Sequence, residues 1–169
     1  GAPDPAFNGG QPFTWTTPGT LSDGVRNGEV EPDGSIMSPG YTNLGTGEGN
    51  HCVLLRLTAA GELDAGFTGF SNSTVVPVTP GVAVFNPFKV DRGVAECYGA
   101  ARLSDGSYVT TGYGGATAVT TPPTASTLGY VSTLQPDLVS FHVQSGGLVA
   151  AWGGKGNSAL AVQSEGKNR

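Results

Sequence analysis

The sequence predicts an all-β repeat protein, and three observations predict it. One phrase recurs along the chain, a turn-and-strand grammar recurs with it, and the apolar residues fall in short β-branched and aromatic runs between turn signals. The phrase is best developed as Leu63-Asp64-Ala65-Gly66-Phe67-Thr68-Gly69. It opens the chain as Asp4-Pro5-Ala6-Phe7-Asn8-Gly9-Gly10 and returns, degraded, as Leu148-Val149-Ala150-Ala151-Trp152-Gly153-Gly154. Its aromatic falls at Phe7, Phe67 and Trp152, intervals of 60 and 85 residues, which divides the chain into units of about 7–66, 67–151 and a truncated 152–169.

Composition narrows the class further. The 28 glycines and 12 prolines approach the level at which low complexity becomes a concern. Charged residues make up only 12%, however, so the chain does not resemble a solvated tail. At 169 residues it is long enough for one good core or for part of a larger assembly. A net charge of −5 with scattered Lys and Arg argues against nucleic acid as a partner, because neutralising phosphates requires clustered basic groups. No apolar run approaches the roughly 18 residues of a membrane-spanning helix, and no signal-peptide pattern is present, as in a chain already processed. Few charges and abundant Thr, Ser and Gly suit an extracytoplasmic protein, secreted or held at the cell surface. Asn72-Ser73-Thr74 is an acceptor sequon for N-glycosylation, which carries no meaning in a bacterial chain.

Taken in order, Phe13 and Trp15 alternate as anchors in a turn-rich opening. Val25 to Glu31 and Ile36 to Tyr41 then flank Pro32-Asp33-Gly34-Ser35, a strong hairpin signal because both Asp and Gly tolerate positive φ. A polar loop covers 42–50, and His51 to Leu57 reads as a buried strand. The phrase around Phe67 follows, and then a Thr/Val-rich stretch, Ser73 to Thr79, expected as a strand. The second unit repeats the grammar: Val94 to Leu103, the turn Ser104-Asp105-Gly106-Ser107, and Tyr108 to Tyr113. Between EPDGSIMSPGY and LSDGSYVTTGY the Asp, Gly, Ser, Gly and Tyr coincide at identical spacing. A longer Thr/Pro/Ser-rich insertion spans 116–135, after which Val139 to Val143 matches Val53 to Leu57 and sets His142 against Arg56, in a polar edge or inter-unit position. A third unit begins at Ala159, with Gly166 lying 60 residues beyond Gly106, and the chain ends at Arg169 where its outgoing strand is expected.

This grammar resembles the delta-60 repeat family of extracellular bacterial proteins. The resemblance is carried by the turn at Glu31-Pro32-Asp33-Gly34, its counterparts Leu103-Ser104-Asp105-Gly106 and Val162-Gln163-Ser164-Glu165-Gly166-Lys167, and the phrase Gly61-Glu62-Leu63-Asp64-Ala65-Gly66-Phe67. It implies propeller-like blades of about four strands each. Strand physics gives the same expectation, since a sheet of four short strands buries its faces only by stacking on another. About two blades and the start of a third make an incomplete ring, because propellers use about four to eight. Three outcomes follow: the chain is a piece of a longer protein, it completes a ring with other chains, or it folds as an open sandwich. The first is favoured, so the expected partner is further chain or another subunit that completes the ring, with Arg169 a site of processing, of cloning or of a nick.

Candidate chemistry is sparse. Asp33-Gly34 and Asp105-Gly106 lack the spaced carboxylates of a calcium loop and read as turns. Asp64 is expected to accept backbone N–H bonds in the turn ahead of Phe67 and Gly69. Phe7, Phe67 and Trp152 are expected as plugs between blades. Cys52 and Cys97, the two cysteines, permit one disulfide, and serve equally as small buried hydrophobes. His51, Cys52, Met37, Cys97 and His142 would make a nitrogen-and-sulfur metal set. They have no compact spacing, and adjacent His51 and Cys52 point to opposite faces of a strand. No metal or cofactor is expected. There is no Gly-x-Ser-x-Gly elbow, the glycine-rich stretches at 45–49 and 153–156 lack a phosphate loop's Lys-Ser/Thr ending, and no catalytic residue can be assigned. The expectation is a non-catalytic binding or scaffold module with a protein or glycan ligand. The alternative is the N-terminal portion of a secreted enzyme whose site lies at the centre of a completed ring.

Overall fold

The computed structural model describes residues 1–45, 47–86, 93–116, 137–144 and 147–153. Most of the insertion at 116–135, Gly166 and the start of the third unit lie outside the described residues. Those described form an all-β structure with one short 3-10 turn at Asn8–Gly10. The first sheet contains β1 (Ser22–Val25), β2 (Glu29–Val30), β3 (Ile36–Asn43), β4 (Asn50–Leu57), β5 (Phe70–Ser71) and β6 (Val82–Phe85). Its order is β1-β3-β4-β6-β5, and β2 shares the β1 edge of β3. The second is a meander of β7 (Gly93–Arg102), β8 (Tyr108–Ala116), β9 (Asp137–Gln144) and β10 (Gly147–Gly153), paired in chain order. All pairings are antiparallel except β5 with β6.

The internal repeat is visible in the pairing register. In the first sheet Met37 opposes Arg56 and Gly40 opposes Val53. In the second, Val109 opposes His142 and Gly112 opposes Val139. The sequence match of the two turn phrases and the match of Val53 to Leu57 with Val139 to Val143 thus describe one hairpin geometry used twice.

Both hairpins turn where expected, but not with the expected turn. Gly34 and Gly106 have φ of 84° and 83°, whereas neither Asp has positive φ. Gly34 N–H donates to Glu31 O at 2.9 Å, and Glu31 N–H to Ser35 O at 2.8 Å. Gly106 with Leu103, and Leu103 with Ser107, repeat these bonds at 3.0 and 2.7 Å. This is the three-residue loop that ends on a left-handed glycine bulge. The Asp acts through its side chain instead: Asp33 Oδ1 and Asp105 Oδ1 each accept the Ser N–H two residues on, at 2.9 Å.

Gly40 and Gly112, the other shared glycine, are required by close strand approach. A Cβ on Gly40 would lie 2.2 Å from Gly24 O, and one on Gly112 would lie 1.8 Å from Glu96 O.

Two expectations are corrected. The stretch 73–79 is not a strand. The Ser73 hydroxyl accepts the N–H groups of Val75 and Val76 at 3.1 and 3.2 Å, holding the chain in a turn. Pro77 and Pro80 offer no ladder donors, and Val75 and Val78 are exposed while Val76 packs on the core. The strand is Val82–Phe85, further along. Trp152 does not repeat Phe67: Phe67 sits in the turn after β4, whereas Trp152 lies within β10 opposite Ser140. By register its counterpart in the first sheet is Ala83, which opposes Leu54 in the same way. A one-letter phrase match fails here because the aromatic-Gly-Gly triplet also suits a strand end.

The core is divided by the two faces of the first sheet. Cys52 and Leu54 of β4, Ala83 and Phe85 of β6, and Met37 of β3 face the second sheet, where they meet Ala95, Cys97 and Tyr108. Phe67 joins them, edge-on to Tyr108 at 6.1 Å. The alternate residues Val53, Leu55, Val82 and Val84 face the other way and are covered by Phe13, Trp15, Leu63 and Val76. Buried on both faces, β4 and β6 read as continuous apolar runs. Cys52 and Cys97 form a disulfide between the sheets, with Cα atoms 5.2 Å apart and a sequence separation of 45.

Two measurements check this arrangement. Gly40→Ala and Gly112→Ala are each expected to lower unfolding free energy by roughly 3 kcal/mol, the upper range of forced overpacking. Gly28→Ala, with open space around its Cβ, should stay within about 0.5 kcal/mol. Titration of the denatured, unreduced protein should find no free thiol, and reduction should cost about 4 kcal/mol on the chain-entropy model for a loop of this length.

Candidate functional site

Two clusters of polar side chains stand out, one on each face of the first sheet. The first lies between the sheets. Arg56, buried at the end of β4, donates Nε–H to Tyr108 Oη at 2.9 Å and Nη2–H to Ser35 Oγ at 2.8 Å and Glu31 Oε2 at 3.0 Å. Its Nη1 pairs with Asp64. Tyr108 donates its hydroxyl to Glu31 Oε1, and Arg102 donates to Glu31 Oε2 at 2.6 Å and to Asp33 at 3.4 Å. Glu31, Asp33, Arg56 and Asp64 come from the first repeat, Arg102 and Tyr108 from the second. Asp64 also accepts the expected turn bond, from Gly66 N–H at 2.8 Å.

Electrostatics follow from this packing. Burial alone would push Glu31 up, but hydrogen bonds from Tyr108, Arg56 and Ser35 hold its carboxyl below the ordinary value. The Ser35 hydroxyl and backbone N–H hold exposed Asp33 down at about 2. Burial, with the bond to ionised Glu31, pushes the Tyr108 phenol up to about 12. Burial disfavours the Arg56 cation, yet bonds to Tyr108 and Glu31 outweigh it and raise its pKa. Every charged member has a partner of opposite sign. The arrangement ties the two sheets together through paired charges.

A second inter-sheet clamp sits near the start of β4. Arg26 lies over the rings of Tyr41 and Tyr98, 4.6 and 5.0 Å from their centroids, and pairs with Glu96 at 2.7 Å. Glu96, almost fully buried, also accepts from Asn50 at 2.8 Å.

The other cluster surrounds a half-open cleft of about 220 Å³ between the N-terminal segment and the outer face of the first sheet. Val53 and Leu55 form its floor, Phe13 and Trp15 its roof, and Asp23 and Ser38 add polar groups. The segment is held at its far end, where Leu21 N–H donates to Asn43 O at 2.7 Å and Thr42 Oγ1–H donates to Thr20 Oγ1 at 2.9 Å. Asp23 Oδ2 accepts Thr17 N–H at 2.9 Å. Trp15 Nε1 and Thr17 Oγ1 are buried and have no hydrogen-bond partner. An unmatched buried polar atom costs roughly 1–3 kcal/mol, so two beside one cleft call for an explanation.

The metal set weighed from the sequence is not assembled. Met37, Cys52 and Cys97 share the inter-sheet core, with both sulfurs of the cysteines in the disulfide. His51 is buried on the opposite face, 3.3 Å from Glu48, and the backbone of His142 lies in β9. Among the described residues no group of three or more His, Cys, Asp or Glu side chains is placed to hold a metal. The sequon asparagine is engaged: Asn72 Nδ2–H donates to Asn86 O and Oδ1 accepts Asn86 N–H, both at 2.9 Å. Among the described residues no helix is long and apolar enough to cross a membrane. A Cβ on Gly69 would lie 1.7 Å from Thr79 O, so that glycine is a close-packing position.

Sequence reasoning placed Phe13, Trp15 and Arg56 as packing or inter-unit positions but missed Glu31, Arg102, Tyr108, Thr17, Asp23 and Ser38. The one signal available was the alternation Phe13-x-Trp15-x-Thr17, which puts three side chains on one side of an extended segment.

Arg56→Ala should cost roughly 3 kcal/mol, because it removes the more buried of the two guanidinium partners of Glu31 and the partner of Asp64, leaving Glu31 with Arg102 as its counter-charge. Glu31→Gln in the same chain should recover part of that loss in chemical denaturation. The depressed acids stabilise the fold above their unfolded values and lose that contribution as pH falls through the folded ones, so unfolding midpoints should drop between pH 4 and about 2. Tyr108 has the opposite sign: its contribution is complete below 10 and lost as pH rises toward about 12. No family model, curated protein or solved structure matches this chain.

Proposed function

We propose that the chain is a non-catalytic, extracytoplasmic, propeller-like module whose role is binding or scaffolding. The observation that carries this reading is the repeated sheet. Two successive sheets each contain an antiparallel strand pair of the same turn geometry and register, and they pack through a disulfide and a fully paired ion cluster. Stacked repeats of this kind bury a continuous core from units too small to fold alone. The delta-60 resemblance of the turn and of the Leu63-to-Gly69 phrase agrees with it. The disulfide suits an oxidising compartment outside the cytoplasm. Rigid inter-sheet clamps suit a scaffold that holds a recognition surface rather than one that moves during turnover.

Further blades, from additional chain or from a second subunit, complete the ring in this reading. Light scattering of natively isolated material should give a mass above that of this chain, and electron-microscope images should show radially arranged blades. A monodisperse monomer of the chain's own mass that unfolds in one cooperative step would sink the ring.

A further inference from the structure

We propose that the Asn27-Gly28 pair is a site of spontaneous covalent modification. The asparagine closes to a succinimide and reopens as aspartate or isoaspartate, and the isoaspartyl form loosens the Arg26 clamp between the sheets. The reacting groups are the Asn27 carboxamide, the backbone nitrogen of Gly28 and water, so the chemistry is independent of the ring.

The sequence holds two Asn-Gly pairs, Asn8-Gly9 and Asn27-Gly28. Asparagine is a chemically labile side chain, and a following glycine leaves the attacking nitrogen unscreened by any Cβ. The structure separates the two pairs. Asn8 Nδ2 donates to Gln11 O at 3.2 Å and to Pro12 O at 3.0 Å, so closure there must first break both bonds to the leaving nitrogen. Asn27 is exposed and lies between β1 and β2, outside either strand. Gly28 N–H donates to Asn27 Oδ1 at 2.9 Å, which turns the carboxamide toward the nitrogen that attacks it. Open space surrounds the Cβ position of Gly28, so a ring can close there without displacing a neighbour.

The conversion needs no oxidant or reductant. Gly28 N gives its proton to a solvent base and bonds to Asn27 Cγ, while the Cγ–Nδ2 bond breaks and the nitrogen leaves as ammonia. Water then opens either imide carbonyl. Cleavage at Cγ restores the normal backbone with aspartate. Cleavage at the Asn27 main-chain carbonyl frees that group as a carboxylate and routes the chain through Cβ and Cγ, one methylene longer. Either product takes the formal net charge from −5 to −6, one amide having become one carboxylate.

The isoaspartyl product reaches the clamp because the segment is pinned at both ends. Val25 pairs with Gly40 and Glu29 with Met37, so Arg26, Asn27 and Gly28 form a bulge facing only Ser38 and Pro39. Arg26 N–H donates to Pro39 O at 2.9 Å, and Ser38 Oγ–H donates to Asn27 O at 3.0 Å. The added methylene must be taken up inside this bulge, and the oxygen that Ser38 holds becomes part of a free carboxylate. Arg26, one residue earlier, carries the stack on Tyr41 and Tyr98 and the pair with buried Glu96.

The test incubates the full chain at mildly alkaline pH, folded and in denaturant, and maps it by mass spectrometry after proteolysis. In the folded chain the amide-to-acid mass gain should appear at Asn27 as two separable products, about tenfold faster than at Asn8. In denaturant the two sites should react at similar rates, because the fold is what distinguishes them. Gly28→Ala, which the open space accommodates, should slow Asn27 about tenfold by screening the nitrogen. The isolated isoaspartyl form should unfold at a lower temperature than the native chain. Asn27→Asp, which adds the charge without the methylene, should stay closer to the native midpoint. The inference is overturned if Asn27 stays intact, if Asn8 reacts as fast in the folded chain, or if their difference persists in denaturant. It is equally overturned if Gly28→Ala reacts at the native rate or if the isoaspartyl form keeps the native midpoint.

Discussion

The structure depends on one face of one strand. At alternate positions along β4, Asn50, Cys52, Leu54 and Arg56 point to the same side, and each is engaged there: Asn50 with Glu96, Cys52 with Cys97, Leu54 in the shared core, Arg56 with Tyr108 and Glu31. Covalent, apolar and ionic contacts therefore lie along a single line about seven residues long. A register slip of one residue would move all four to the wrong side at once. The disulfide and the Arg56 cluster hold the inter-sheet spacing at separate places, so the apolar residues between them pack at a fixed distance.

The opposite face of the same strand has a different task. Val53 and Leu55 point away from the second sheet and would be open to water without the N-terminal segment. That segment has no strand partner over 11–20, and side-chain bonds to Asp23 and Thr20 help to fix it. Such a cover closes less completely than a paired strand, because its backbone spacing follows the side chains beneath. The cleft is the space left over. β4 thus supplies a rigid interface on one side and an adaptable surface on the other.

The ion cluster shows how a repeat can differentiate. By position, Leu103 stands where Glu31 stood, His142 where Arg56 stood, and Ile36 where Tyr108 stands. Each repeat keeps the turn and the register, which belong to the backbone, and varies the side chains that meet its neighbour. Buried ion pairs add little net stability when complete and cost much when broken, so a complementary cluster discriminates between neighbours more than it strengthens them.

The sequence by itself determined the local grammar. Asp-Gly turns, the buried apolar run of β4, the shared Gly40 and Gly112, and the equivalence of Arg56 with His142 all express short-range rules of backbone geometry and strand periodicity, which act within a few residues. It misled where a local pattern had two readings. The valines of 73–79 have strand propensity, but Ser73 and the two prolines decide against it, and the match of Trp152 to Phe67 ignored that one lies in a strand and the other in a turn. Tertiary structure alone decided what lies opposite what. Nothing in the sequence spacing links Glu31 to Tyr108 or Trp15 to Leu55, because those contacts arise when two sheets and a covering segment come together. The pairing of Cys52 with Cys97, left open by the sequence, was settled in the same way, by the face of β4 that the pleat turns toward β7.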